Sequence, residues 1–282
     1  MPNYLITGAA RGIGRGLTRH LLSQGHRVFL LDSNLPELTT TTTHLLTHGF
    51  TTPQDFKTSH TDLSSRSSIS TAITDATEYF QGKVDVLINN AFATPHVWSG
   101  NASMDSTDVD IMSEWDHKLS VGLTAPFLLS RLCIPLLTSS STSSSSPPPS
   151  TKTSPPGCII HISSTRAHQS EVNHEAYSAI KAGLIGLTQS MSVSLGEKYG
   201  IRVNAISPGW IHVENENGKG DEEGRKWEDG LTEGDHRWHS VGRVGKVEDI
   251  AKAVEFLVNS EFVTGTEIVV DGGVSRKMVY PE

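Results

Sequence analysis

The most constraining feature of this chain is a repeated switch between short apolar runs and segments of helical length. Six runs recur: NYLITG (3–8), RVFLLD (27–32), VDVLINNA (84–91), GCIIHISS (157–164), IRVNAISPG (201–209) and TEIVVDGG (266–273). Helix-length stretches at 14–25, 109–137, 174–199 and 247–259 lie between them. The runs are nearly continuous in apolar residues rather than alternating, as expected of strands covered on both faces. Strands of that kind, separated by helices, imply βαβ units and a parallel sheet. At 282 residues the chain has room for one α/β domain with a full core, and residues 1–282 are read as a single domain. Two stretches break the pattern. Residues 138–156 are Ser, Thr and Pro with almost nothing to bury, which predicts a disordered insertion. Residues 212–240 are rich in Glu, Asp, Gly and Trp. A run of five threonines, 39–43, reads as the weak end of a helix or a loop.

Composition excludes several classes of function. The net charge is −8 and no basic stripe occurs, so a nucleic-acid surface is not expected. No apolar run approaches the roughly 20 residues that span a bilayer, so no membrane segment is expected. The start, MPNYLITGAARGIG, lacks a basic stretch followed by a long apolar one, and a cytoplasmic location is expected. Cys133 and Cys158 each sit in an apolar stretch and read as buried, reduced thiols, with no metal site.

Directly after the first run comes TGAARGIG (7–14), in which Gly8, Gly12 and Gly14 flank Arg11 and Ile13. Glycines permit a tight turn and close backbone approach, and the helix that follows aims its N-terminal amides at a phosphate. An acidic residue, Asp32, ends the next run, where a carboxylate accepts hydrogen bonds from ribose hydroxyls and repels a 2′-phosphate. The expected cofactor is a dinucleotide, NAD. Arg11 keeps NADP as the alternative, although Ser33 supplies no second cation after Asp32.

A second pattern carries chemistry. In AYSAIKAG (176–183), Tyr177 and Lys181 stand one helical turn apart. An ammonium beside a phenol favours the phenolate, and a phenol with a mobile proton acts as general acid or base. The same spacing also arises by chance on solvated helix faces, so it decides nothing alone.

With these residues together, the chain resembles the short-chain dehydrogenase/reductase family from residue 3 to about 275. Gly8, Gly12 and Gly14 match its glycine motif, Asp62 and Leu63 its adenine-contacting pair, and Asn90, Ala91 and Phe92 its Asn-Asn-Ala-Gly strand end. Tyr177 and Lys181 match its Tyr-x-x-x-Lys pair, and Ser164, 13 residues before the tyrosine, its catalytic serine. Pro208, Gly209 and Ile211 match the segment after its sixth strand, which contacts the cofactor. The resemblance implies a Rossmann-type, doubly wound, mostly parallel seven-stranded sheet flanked by helices, and a homodimer or homotetramer. It also implies that Ser164 holds a substrate oxygen, that Tyr177 exchanges a proton with it, and that Lys181 bonds the nicotinamide ribose.

Three positions depart from the family. Phe92 replaces a glycine, Val213 a threonine that contacts the cofactor carboxamide, and Gly122 the asparagine that completes a catalytic tetrad. A water held by a main-chain carbonyl near Gly122 is the expected substitute for that amide. Residues 212–240 are expected to form a mobile substrate lid. Between 214 and 235 it holds nine acidic residues against three basic ones, which disfavours polyanionic substrates. Trp98, Trp210, Trp227, Trp238 and His168 are candidates for the pocket wall. The expected activity is interconversion of a small-molecule secondary alcohol and a ketone with NAD(P). The alternatives are a 3-oxoacyl thioester reductase and a dinucleotide-sensing protein with little turnover.

Overall fold

The structure is a computed structural model that describes residues 1–107, 110–138 and 157–278. Seven strands form one sheet: β1 (Asn3–Thr7), β2 (Arg27–Asp32), β3 (Phe56–His60), β4 (Val86–Asn89), β5 (Cys158–Ile162), β6 (Arg202–Pro208) and β7 (Glu267–Val270). Their order is β3-β2-β1-β4-β5-β6-β7, and every pairing is parallel. The order reverses direction between β1 and β4. That is the switch point, where a crevice opens outside the carboxyl ends of the strands.

The helices are α1 (Gly12–Ser23), α2 (Leu35–Thr47), α3 (Arg66–Tyr79), α4 (Ile111–Leu119), α5 (Ala125–Thr138), α6 (Glu175–Tyr199), α7 (Gly218–Glu223), α8 (Glu233–Arg237) and α9 (Val247–Asn259). They cover both faces of the sheet. One apolar cluster packs β1, β2, β4 and β5 against α1 and α9, through Leu17, Leu21, Val247, Ile250 and Val254. The other packs the opposite face against α3, α5 and α6, through Ile69, Ile73, Leu129, Cys133, Met191 and Leu195. Both cysteines are buried and unpaired, with burial pushing Cys133 up to about 12 and Cys158 up to about 11.

Four expectations need correction. The strand β3, FKTSH, was not among the apolar runs: only Phe56 of its five residues is buried, because it is an edge strand bonded to β2 alone. The threonine run lies in the middle of α2, not at a weak end. Thr39, Thr40, Thr42 and Thr43 each donate to the carbonyl four residues earlier, so their hydroxyls are satisfied inside the helix. Next, α4, a π-helical turn (Ser120–Thr124) and α5 run on as one helix of 28 residues, Ile111–Thr138, with a mean hydropathy of 1.6 in its most apolar window. It is long and apolar enough to cross a bilayer. Its apolar residues, including Leu129, Cys133, Leu136 and Leu137, instead fill the core beneath α3 and the sheet. Lastly, Thr138, assigned to the Ser/Pro-rich insertion, is the final residue of α5, and residues 139–156 lie outside the described residues.

Thr41 differs from its neighbours. It is fully buried, and its hydroxyl donates to the Ala10 carbonyl at 2.7 Å, tying α2 to the glycine loop. Thr41→Val should therefore lower stability by about 1–3 kcal/mol, since a buried carbonyl loses its donor. Thr39→Val and Thr43→Val, at exposed positions, should stay within about 0.5 kcal/mol. Urea unfolding of the three variants checks this, and equal losses at all three positions would remove the proposed tie.

Candidate active site at the strand switch point

The crevice above β1 and β4 is a cleft of about 1680 Å³. Gly8, Arg11, Gly12, Ile13, Asp32, Asp62, Leu63, Asn90, Ala91, Pro208, Gly209 and Ile211, all cofactor candidates, line it together with Ser164, Tyr177 and Lys181. Gly14 lies beneath its rim. A Cβ there would meet the Gly8 carbonyl oxygen at 2.1 Å, so only glycine lets the loop close this tightly.

The nucleotide half is fixed by side chains that bond backbone. Asn90 donates to the carbonyls of Thr7 and Gly8, both at 3.0 Å, and Thr7 Oγ1 accepts from the amides of Asn90 and Ala91. These bonds lock the end of β4 to the glycine loop. The Asp32 carboxylate accepts from the amides of Ala10 and Asn34, each at 2.9 Å, which holds it at the tip of β2 facing the cleft. Arg11 donates to Thr94 Oγ1 at 2.9 Å and thus reaches toward the loop after β4. Asp62 accepts from the amide and hydroxyl of Ser64, which hold its carboxyl below the usual range.

The reactive half sits where β5 meets α6. Lys181, 3% exposed, donates from Nζ to the Ile162 carbonyl at 2.8 Å. Both serines line the cleft, but Ser163 Oγ donates to the Lys181 carbonyl at 2.8 Å and is a fastener, whereas the Ser164 hydroxyl bonds Tyr177. Burial raises the Tyr177 phenol above its ordinary value, against the opposing pull of the Ser164 hydroxyl and of Arg166. Burial lowers Lys181 to about 7. The expectation that Lys181 would lower the tyrosine is therefore not met in this state: an ammonium stripped of water is itself a weak cation near neutral pH.

Several wall residues differ from expectation. Trp210 and Trp238 line the cleft, but Trp98, Trp227 and His168 do not. Trp98 is buried against Ala102 and Ala176 and donates to Glu175 at the start of α6 at 2.8 Å. Trp227 donates to the Gly245 carbonyl at 3.1 Å, and His168 pairs with Glu267. Nothing in the sequence spacing singled out His96, whose ring lies 4.4 Å from that of Tyr177, or Arg166, Gln169 and His174, which share the wall.

The segment 212–240 is also more built than a mobile loop. It carries α7 and α8, and the Glu216 carbonyl accepts the Gly12 amide at 2.7 Å, directly on the glycine loop. Glu37 of α2 accepts from the Gly218 amide at 2.9 Å, Arg15 pairs with Asp221 at 2.6 Å, and Arg19 pairs with buried Glu216. Part of the acidic excess is thus spent on anchoring. Around Gly122, the side chain of Ile180 and the ring of Phe92 stand where an asparagine side chain would begin. Among the described residues no group of three His, Cys, Asp or Glu side chains could hold a metal ion.

Comparisons with known proteins agree with this geometry. The family model for enoyl-(acyl carrier protein) reductase matches residues 8–275. A Thermotoga maritima protein described as an uncharacterised oxidoreductase is 34% identical over 281 residues, covering 99% of this chain and 97% of its own. A 7α-hydroxysteroid dehydrogenase from Bacteroides fragilis is 28% identical, covering 96% of this chain and 93% of its own. Among solved structures, an apo SCOR enzyme from Clostridium thermocellum is 31% identical with a TM-score of 0.76, covering 99% of this chain and 95% of that one. The chain is an oxidoreductase and belongs to the short-chain dehydrogenase/reductase family.

Proposed function

We propose that the protein interconverts a secondary alcohol and a ketone, with NAD(H) as cofactor. The observation that carries this is the convergence of Ser164, Tyr177 and Lys181 on one wall of the cleft that Asp32 and the glycine loop complete. When bound, the dinucleotide supplies or accepts the hydride. Ser164 donates a hydrogen bond to the substrate oxygen, where negative charge develops on reduction. Tyr177 gives its proton to that oxygen, and in oxidation it takes the proton back. The raised phenol of the cofactor-free site favours the proton-donating form, which suits reduction. Lys181, held by the Ile162 carbonyl, would serve the same step and would bond the nicotinamide ribose.

Asp32 and Glu37 on the cleft wall support NAD over NADP, and so does the turn of Arg11 toward Thr94. Because Glu216 takes the Gly12 amide, the amides of Ile13 and Gly14 are left to a phosphate at the start of α1. The hydroxysteroid relative and the walls of Trp210, Trp238 and His96 support a ring-bearing, uncharged substrate. Glu214 in the cleft wall, and the acidic segment around it, disfavour the thioester carriers that the family model's description brings to mind. A homodimer or homotetramer is proposed as well, because Phe127 and Val193 leave apolar surface exposed on α5 and α6.

Tyr177→Phe should reduce turnover by about two to four orders of magnitude while leaving NADH affinity close to the parent's. A panel of cyclic alcohols and ketones, followed by cofactor fluorescence, checks this, and parent-like turnover in the variant removes the assigned role. Asp32→Ala should narrow the preference for NAD over NADP in steady-state kinetics. A parent that already prefers NADP would transfer the cofactor choice to Arg11.

Lys181 also sets a pH dependence of stability. Its pKa falls from 10.5 to about 7 on folding, so below about 7 the full cost of burying the charge is present. Between about 7 and 10.5 the unfolded chain holds the proton that the folded chain has released, and stability rises with pH. Lys181→Met should therefore gain most over the parent near pH 6, and the gain should shrink toward pH 10. Melting temperatures of the cofactor-free proteins read this directly. A gain that does not vary with pH would mean the lysine is not desolvated as the fold implies.

A further inference from the structure

Two departures from the family pattern, Phe92 and Gly122, are far apart in sequence and meet in the fold. A Cβ on Gly122 would lie 2.7 Å from Ile180 Cγ2 and 3.2 Å from both Cδ2 and Cε2 of Phe92. The Phe92 ring stands edge-on to Tyr177, with centroids 4.8 Å apart and planes at 81°. The Lys181 ammonium lies 5.4 Å from the same ring's centroid. Gly122 itself sits in the π-helical turn, where one extra residue widens the helix. The glycine thus leaves room for Ile180 and for the Phe92 ring together. A side chain at 122 would collide with Ile180 and crowd the ring, and a glycine at 92 would remove the ring that faces the lysine.

We propose that Phe92 is the positioning residue for Lys181 in this protein, seated where the family places its asparagine side chain, and that Gly122 is the space the ring requires. The inference rests on the reading that Lys181 serves the proton-transfer step. An aromatic face within about 6 Å attracts a cation but donates and accepts no ordinary hydrogen bond. The ring therefore steadies the ammonium against the Ile162 carbonyl while shutting water out from the α4–α5 side. The titratable groups that face Lys181 are Tyr177 on its own helix, His161 on β5 and His96 on the loop after β4.

The test reads Lys181 without requiring a substrate. Acetic anhydride labelling of the full-length, cofactor-free protein is followed by mass spectrometry across pH, with exposed Lys219 as internal reference. Parent Lys181 should label slowly. Phe92→Gly should label faster and shift the midpoint upward by about one unit, as water reaches the ammonium. Phe92→Leu keeps the bulk but loses the ring, so labelling should stay slow while the midpoint moves down. Gly122→Asn alone should lower the melting temperature, and the double variant Phe92→Gly/Gly122→Asn should recover part of that loss, the contact with Ile180 remaining.

An unchanged rate and midpoint in Phe92→Gly would overturn the proposal, as would additive losses in the double variant. Should Phe92→Gly fail to fold, an unchanged midpoint in Phe92→Leu would overturn it equally. The two readings fail separately. If Tyr177→Phe abolishes turnover while labelling ignores Phe92, the activity stands and the positioning role falls. If no alcohol or ketone is turned over yet labelling follows the pattern above, the activity falls and the positioning role stands.

Discussion

A buried ammonium is the constraint on which the reactive half of this molecule depends. Removing Lys181 from water is costly, and the fold offsets that cost only by delivering partners to it. The Ile162 carbonyl at the end of β5 accepts from the lysine, and the next residue, Ser163, bonds back to the lysine's own carbonyl. These reciprocal bonds clasp α6 to the strand at one level. Ser164 follows in the chain and Tyr177 precedes Lys181 by one helical turn, so the same clasp brings both hydroxyls to the cleft. The start of α6 is held separately, by Trp98 bonding Glu175, and the Trp98 loop is held in turn by Lys118, which donates to the Val97 carbonyl at 2.6 Å.

What the sequence reveals of this site follows the reach of its interactions. The glycine loop, Asp32, Ser164, Tyr177 and Lys181 could be singled out because each is tied to a short spacing or to the end of an apolar run, and all of these site candidates but Gly14 line the cleft. The roles that escaped are set by partners distant in the chain. Trp98 reads as a pocket aromatic until Glu175 and Ala176 are seen to close over it. Glu216 and Asp221 count only toward an acidic excess until Arg19 and Arg15 are found against them. Phe92 and Gly122 each look like an isolated departure until the ring is found beside the glycine.

The fold was legible for a related reason and failed at related places. A central strand of a parallel sheet must be apolar on both faces, which makes β1, β2, β4, β5 and β6 visible in the sequence. An edge strand carries no such requirement, so β3 passes as a loop. The threonines of α2 run against helix propensity, which suggested a weak end. Packing of Leu38, Thr41 and Leu45 against the core decides otherwise, while back-bonding satisfies the exposed hydroxyls. The long α4–α5 helix shows the converse: composition alone cannot separate a bilayer-spanning helix from one buried in a protein core.

The way the acidic segment after β6 is anchored has a mechanical side. Besides bonds to Gly245 and Lys277, it is tied to Gly12, Arg15, Arg19 and Glu37 in the nucleotide-binding half. A dinucleotide lying in this cleft would therefore be strapped down by the same segment that borders the substrate. The segment that borders the substrate side of the cleft is thus tied mechanically to the glycine loop, so a shift in one is felt by the other.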